Sequence, residues 1–251
     1  MRYLILSDIH ANWEALSAVL NKVRRKRWDR ILFLGDAVGY GASPNRVMNW
    51  LRSLSPQPLS IRGNHDRVCI GLEGAEYFNP QAYAAMAWTR DRLDDPNLRA
   101  LAELPEGPMI VEKNLAICHG APHDEDVYIF SGFEAEPAFA ALPQQLILFG
   151  HTHVPSLITL DERGPRAVLR IELLREEMGP VDLEEGVRYL INPGSVGQPR
   201  DRDPRAAFAI FDSKIGRLYH YRVPYSTKLA RKRILRVGLP PLLGDRILQG
   251  V

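Results

Sequence analysis

Cysteine is scarce in this chain: of 251 residues only Cys69 and Cys118, each in an apolar neighbourhood, carry a thiol. That scarcity removes a disulfide framework and leaves reduced, packed thiols. No run of eighteen or more uncharged apolar residues occurs, so a membrane-spanning helix is not expected. The opening stretch, MRYLILSDIH, meets Asp8 too early to serve as the apolar core of a signal peptide. A cytoplasmic protein with no membrane partner is the expectation. An excess of one charge is also missing. The 32 basic and 30 acidic residues leave a net charge of +2, too little to call for a nucleic acid or an anionic surface. With no internal repeat and no low-complexity linker, residues 1–251 are expected to form one domain, with residues 225–251 as a helical tail.

Apolar runs of strand length, ended by polar residues, are what the chain does have. RYLILSD, RILFLGD and PLSIRGNHD read as three strands buried on both faces. Between them, NWEALSAVLNKVRRKR places Trp13, Leu16, Leu20 and Val23 at helical spacing behind Asn12 as N-cap, and SPNRVMNWLRSL offers Ser43 as N-cap with Pro44 following. Strand, helix, strand, helix, strand implies parallel pairing. After a helix at NPQAYAAMAWTRDRL, MIVEKN and LAICHG read as a pair joined by a Lys-Asn turn. QQLILFGH, VPSLITL, RAVLRIELL, VRYLINPG, AAFAIFD and RLYHYRV then follow without long helices. They suggest a second, more antiparallel sheet packed on the first. The tail reads as one helix and a proline-containing finish.

The chemically capable side chains stand just past these strands. Asp8 and His10 follow the first, Asp36 the second, and Asn64, His65 and Asp66 the third. His119 ends LAICH, and His151 and His153 end LILFGHTH. In open α/β sheets the carboxyl ends of strands share one edge, where ligands bind, so these residues can converge. Any one histidine of this kind is better explained as a hydrogen-bonded loop residue. The whole set is not: imidazole, carboxylate and amide oxygen suit manganese, iron, cobalt, nickel or zinc, whereas a magnesium or calcium site is richer in oxygen. Gly35, Gly63 and Gly150 each precede a candidate ligand and permit a sharp exit from the strand.

The ordered motifs DIH, GD, GNHD, a strand-terminal H and GHTH resemble those of the calcineurin-like metallophosphoesterases. GDAVGYG, INPGSVGQPRD and RVPY are further similar to the bacterial and archaeal branch described as diadenosine-tetraphosphatase-like, so the likeness spans nearly the whole chain. The resemblance implies an α/β fold: a four-layer α/β/β/α sandwich of two mixed β-sheets, with a two-metal centre at the carboxyl-end edge of the strands. It implies that Asp8, His10 and His153 hold one divalent ion, that Asn64, His119 and His151 hold another, and that Asp36 bridges them. Two such ions about 3.5–4 Å apart can activate a bridging water for in-line attack at phosphorus. The resemblance gives His65 the role of proton donor or transition-state stabiliser, with Asp66 orienting it.

Substrate contacts are weaker. Arg67 and Arg200 have the guanidinium fork that pairs with phosphate, and Tyr40 is placed to line the entrance, but a solvated loop is an equal reading for each arginine. Asn192 reads as a turn residue beside the centre, His123 as a loop residue where many relatives carry a basic one, and His220 as structural. The expected function is a metal-dependent phosphoesterase, a phosphodiesterase or phosphatase acting on a small phosphorylated or nucleotide substrate. A homo-oligomer stays open. Two alternatives remain: a nuclease served by KVRRKR and KLARKR, which lack the interleaved aromatics of a single-strand platform, and a non-catalytic scaffold.

Overall fold

The computed structural model of the protein describes residues 1–74 and 78–251, Glu177 by its backbone alone. In chain order the elements are β1 (Arg2–Leu6), α1 (Trp13–Val23), β2 (Arg30–Phe33), α2 (Pro44–Ser53), β3 (Leu59–Ser60), α3 (Asn64–Cys69), α4 (Pro80–Arg92) and α5 (Asp95–Ala102). Next come β4 (Met109–Glu112), β5 (Leu115–Ile117), α6 (Gly132–Ala141), β6 (Leu146–Leu148), β7 (Ser156–Asp161) and β8 (Val168–Leu173). After a 3₁₀ turn, β9 (Val181–Asp182), β10 (Val187–Asn192), β11 (Ala206–Asp212), β12 (Arg217–Val223), α7 (Thr227–Arg236) and α8 (Pro241–Gln249) complete the chain. None of these helices is long and apolar enough to cross a membrane.

Two six-stranded mixed sheets result. The first runs β3-β2-β1-β11-β12-β9 and the second β4-β5-β6-β10-β7-β8. In the first, β1, β2 and β3 are parallel while β11 joins β1 antiparallel. In the second, β5, β6 and β10 are parallel and β7 and β8 return antiparallel.

Side chains of a strand alternate between faces, and here the alternation sorts them into layers. Tyr3 and Ile5 of β1, Leu32 of β2, and Leu146 and Leu148 of β6 meet in the core between the sheets. Leu4, Leu6, Ile31 and Phe33 face the other way, against Leu16 and Val19 of α1 and Val47 and Leu51 of α2. On the far side, Ile147 and Leu190 of the second sheet meet Ala135, Ala138 and Phe139 of α6. Helix, sheet, sheet, helix is the four-layer order that the resemblance implies. Each buried Leu, Ile or Phe adds about 1.5–3 kcal/mol to holding the layers together.

Several expectations need correction. AAFAIFD and RLYHYRV do not join the second sheet; as β11 and β12 they complete the first. The physical reason is burial. Every residue of β11 is buried, so both of its faces must be covered by packed layers, and a place between β1 and β12 in the middle of the first sheet provides that. Three helices, α3, α5 and α6, went unread. α6 hides behind Pro137 in its interior, but a capping box between Ser131 and Glu134 starts it. The tail holds two helices, not one. Asn12 does cap α1, accepting from the Ala15 N–H at 3.1 Å, whereas Ser43 occupies its N-cap position without a side-chain bond. Both cysteines are free and buried, and burial pushes the Cys69 thiol up to about 12.

Candidate metal centre

The loops leaving β1 and β2 are laced together. Asp8 N–H donates to Gly35 C=O at 3.0 Å, His10 N–H to Asp36 C=O at 3.0 Å and Ala11 N–H to Ala37 C=O at 2.9 Å. Asp8, His10, Asp36, Tyr40, His151 and His153 all have positive φ, between 48 and 63°. Non-glycine residues rarely adopt that region, and such strain collects at functional sites. Gly35, at φ 97°, lets three segments close up: a Cβ there would meet Gly63 N at 2.7 Å and His119 Nδ1 at 2.8 Å. At Gly63 a Cβ would strike the Asp36 carboxylate.

Four imidazoles meet at this edge, and each has one nitrogen committed to a main-chain carbonyl. His10 Nδ1 lies 3.0 Å from Val38 O, His119 Nδ1 2.8 Å from Leu34 O, and His153 Nδ1 2.6 Å from Gln198 O. His151 uses Nε2 instead, 3.1 Å from Asp126 O. A carbonyl only accepts, so each of these nitrogens carries the proton and the opposite nitrogen of a neutral ring is a bare lone pair. Burial holds His10, His151 and His153 well below the usual imidazole range and so keeps them neutral. At His119 burial also opposes charge, but the neighbouring Asp36 and Asp8 outweigh it and raise the ring.

The unprotonated Nε2 atoms of His10 and His153 face one another and the carboxylates, whereas the raised ring of His119 turns its Nε2 toward two acceptors. His10 Nε2 and His153 Nε2 are 3.1 Å apart, two lone pairs with no proton between them. His153 Nε2 is 3.4 Å from Asp8 Oδ1. Asp36 Oδ2 stands 3.5 Å from His10 Nε2 and 3.6 Å from His119 Nε2, while His119 Nε2 is 3.2 Å from Asn64 Oδ1. Asp8 Oδ2 and Asp36 Oδ2 are buried with no hydrogen-bond partner among the described residues, and burial raises both carboxyls. Buried acceptors converging without donors are costly, and a divalent cation removes that cost. Asp8, His10, Asp36 and His153 offer ligand atoms all within 4.8 Å of one another. The residues present therefore fit a metal ion, with the mixed nitrogen and oxygen donors of a borderline divalent ion.

His65 and Asp66 stand in the first turn of α3, one beside the cleft and one beneath it. The His65 ring packs against Tyr40, with centroids 4.4 Å apart, and His10, at 4.8 Å, and its Nδ1 is 3.1 Å from Met86 Sδ. Burial, with nearby His10, keeps it well below the ordinary range and neutral. Among the described residues Asp66 forms no hydrogen bond to that ring and acts on the backbone around it. Its carboxylate accepts the N–H groups of Asp36, Gly63, Ala37 and Val38 at 2.8–3.2 Å. Burial raises Asp66 to about 6 against the pull of those amides.

A cleft of about 430 Å³ opens here, lined by Tyr40, Asn64, His65, Arg67, Tyr128 and His151. Arg67 is already spent: its guanidinium pairs with Glu125, Glu73 and Asp126, so it is not a free phosphate fork. Arg200 donates to the Tyr40 hydroxyl at 3.3 Å, and the Tyr40 ring meets His10 edge-on at 4.7 Å. Asn192 ties the loop after β6, donating to Gly150 O at 2.6 Å and Thr152 Oγ1 at 2.9 Å. His123 is exposed. His220 is buried with Nε2 3.2 Å from Pro193 O, a structural residue lowered by burial to about 4. Tyr128, tilted on His151 at 3.9 Å, escaped the sequence reading because it follows no strand.

A family model described as calcineurin-like phosphoesterase superfamily domain matches residues 1–215. An uncharacterized protein of Methanocaldococcus jannaschii is 38% identical over 253 residues, covering 98% of this chain and 97% of that protein. A solved metallophosphoesterase from Sphaerobacter thermophilus is 40% identical with a TM-score of 0.86, covering 100% of this chain and 99% of that one. A hypothetical protein from Pyrococcus horikoshii OT3, 20% identical with a TM-score of 0.79, shares the fold over 100% of this chain and 98% of its own. With that likeness running through both sheets and the donor set at their shared edge, the chain belongs to the calcineurin-like phosphoesterase superfamily.

Proposed function

We propose that the protein hydrolyses phosphate esters at a two-metal centre. The observation that carries this reading is the position of Asp36 Oδ2, unpartnered and buried between His10 Nε2 and His119 Nε2. One carboxylate oxygen facing two groups of donors suits a bridging ligand. Asp8, His10 and His153 form the group on one side, and Asn64, His119 and His151 the group on the other. Bound there, two divalent ions would supply Lewis acidity and a nucleophile of lowered pKa at neutral pH.

The chain's own residues do the rest. Four main-chain carbonyls fix the imidazole tautomers, so the donor lone pairs are aimed before any ligand arrives. His65, neutral and at the cleft wall, would stabilise a leaving oxygen by donating a hydrogen bond from its ring N–H, and would have to gain a proton before it could transfer one. Asp66 holds the Asp36 loop and the start of α3 in register. Tyr40 and Arg200 stay as substrate contacts and Arg67 does not. The cleft suits a small phosphorylated molecule, and the GDAVGYG and NPGSVGQPRD loops, which resemble the diadenosine-tetraphosphatase-like branch, favour a nucleotide. Free, reduced Cys69 and Cys118 agree with a cytoplasmic setting.

No observation favours the nuclease. In the KLARKR segment, Arg231 pairs with Asp245 and Arg233 with Glu14, both at 2.6 Å. A scaffold has no use for a complete set of aimed donors. The test is metal analysis together with turnover of bis(p-nitrophenyl) phosphate and p-nitrophenyl phosphate under added manganese, nickel, zinc or magnesium. Two ions per chain and turnover abolished by chelation are expected, and a purified protein that retains no metal and cleaves neither ester sinks the reading.

A further inference from the structure

Each of the two sheets ends in two edge strands, and an edge offers its main-chain N–H and C=O groups to any further strand. Three of these four edges are blunted. β3 and β9 have two residues each, and β4 carries a register shift between Ile110 and Glu112. β8 is different. It runs six residues, VLRIEL, without proline or glycine, and pairs with β7 in unbroken register from Ser156 opposite Leu173 to Asp161 opposite Val168. Among the described residues no strand lies along its other side.

The open edge is apolar where it meets solvent. Val168, Ile171 and Leu173 are 44, 40 and 49% exposed. Strand alternation places Leu169, Ile171 and Leu173 on one face, where Leu169 packs on the cluster beneath α6. A Cβ on Gly132 would stand 3.8 Å from Leu169 Cδ2, so Phe133, 84% exposed at the start of α6, borders the same face. Arg170 and Glu172 are exposed on the opposite face, and among the described residues neither is seated in an ion pair.

The order of these residues is self-complementary. A second copy laid antiparallel along the edge, about a two-fold axis perpendicular to the sheet, must oppose residues that point to the same face. The axis therefore falls at a position that faces itself. Centred on Arg170 or on Glu172, it would set like charges against each other. Centred on Ile171, it sets Arg170 of each copy against Glu172 of the other, Leu169 against Leu173, and Ile171 against itself. Opposite charges and apolar pairs are the favourable combinations directly across an antiparallel pair.

We propose that β8 is the seam of a homodimer, in which the second sheets of two copies join antiparallel about Ile171 into one continuous sheet. The seam, with Phe133 beside it, is small against a standard interface of about 1,600 Å², so a dimer of micromolar strength is expected. It uses no residue of the metal centre and stands independently of ester hydrolysis.

Sedimentation equilibrium on the full chain and its variants tests the seam, with melting curves to confirm folding. Arg170→Glu and Glu172→Arg each create like-charge pairs on both sides of the axis, and the double exchange restores both pairs with their signs reversed. The wild type should be dimeric at high micromolar concentration. Each single variant should dissociate about tenfold more readily, and the double variant should return to within about threefold of the wild type. Ile171→Lys, which brings two ammonium groups together on the axis, should be monomeric. A monomeric wild type, a dimer indifferent to the single exchanges or to Ile171→Lys, or a double variant no tighter than the single ones overturns the proposal.

Discussion

Asp66 Oδ2 accepts the main-chain N–H of Asp36 at 2.8 Å, so a residue on the first turn of α3 shapes the loop that presents the carboxylate between the two donor groups. The same carboxylate serves three further amides, and every one of them is buried. Asp66→Ala leaves those donors without partners, each costing about 1–3 kcal/mol. A loss of at least about 3 kcal/mol in urea unfolding is expected, together with weakened metal retention. Asp66→Asn, which keeps one acceptor oxygen, should fall between. An Asp66→Ala protein as stable as the wild type, with full metal content, would show that the loop holds itself.

Much of this arrangement was legible before any coordinates because its chemistry is local. Apolar runs ending in DIH, GD, GNHD and GHTH name both the strand and the side chain that leaves it, and parallel strands gather such ends on one edge. Contacts made across long sequence distances were not legible. Nothing in AAFAIFD says that β11 pairs with β1 rather than with its neighbours in the second sheet. The carbonyls of Leu34, Val38, Asp126 and Gln198 that aim the imidazoles leave no trace in residue type. Arg67 looked available for phosphate because Glu125 and Asp126 lie about sixty positions away.

His65 lies at the cleft wall, where its neutral ring has Nδ1 against Met86 Sδ and, among the described residues, no hydrogen-bond partner for Nε2. His65→Ala should retain the metal content of the wild type, because no candidate ligand is removed, while kcat falls about 10²–10⁴-fold. Metal analysis and steady-state kinetics on the same preparation separate these effects. Turnover within a few fold of the wild type at full metal content would remove the residue from stabilising the leaving oxygen, whereas loss of metal would make its role structural.

Gly35 joins conformation to function most directly. Its φ of 97° is disfavoured for any side chain, and a Cβ would sit 2.7 Å from Gly63 N and 2.8 Å from His119 Nδ1. Gly35→Ala must therefore push apart the loops bearing Asp36, Asn64 and His119, or adopt a different backbone and move Asp36 itself. Strain of about 1–3 kcal/mol is expected from the backbone alone, with the clash adding to it. Metal binding that depends on Asp36 and His119 should weaken before the fold fails, since the layers are built from strands this change does not touch. Melting temperatures with and without chelator check this: metal raises the melting point of the wild type by mass action, and in Gly35→Ala that increment should shrink or vanish. An undiminished increment would mean that the loops have room which the close approach of Gly35, Gly63 and His119 denies them.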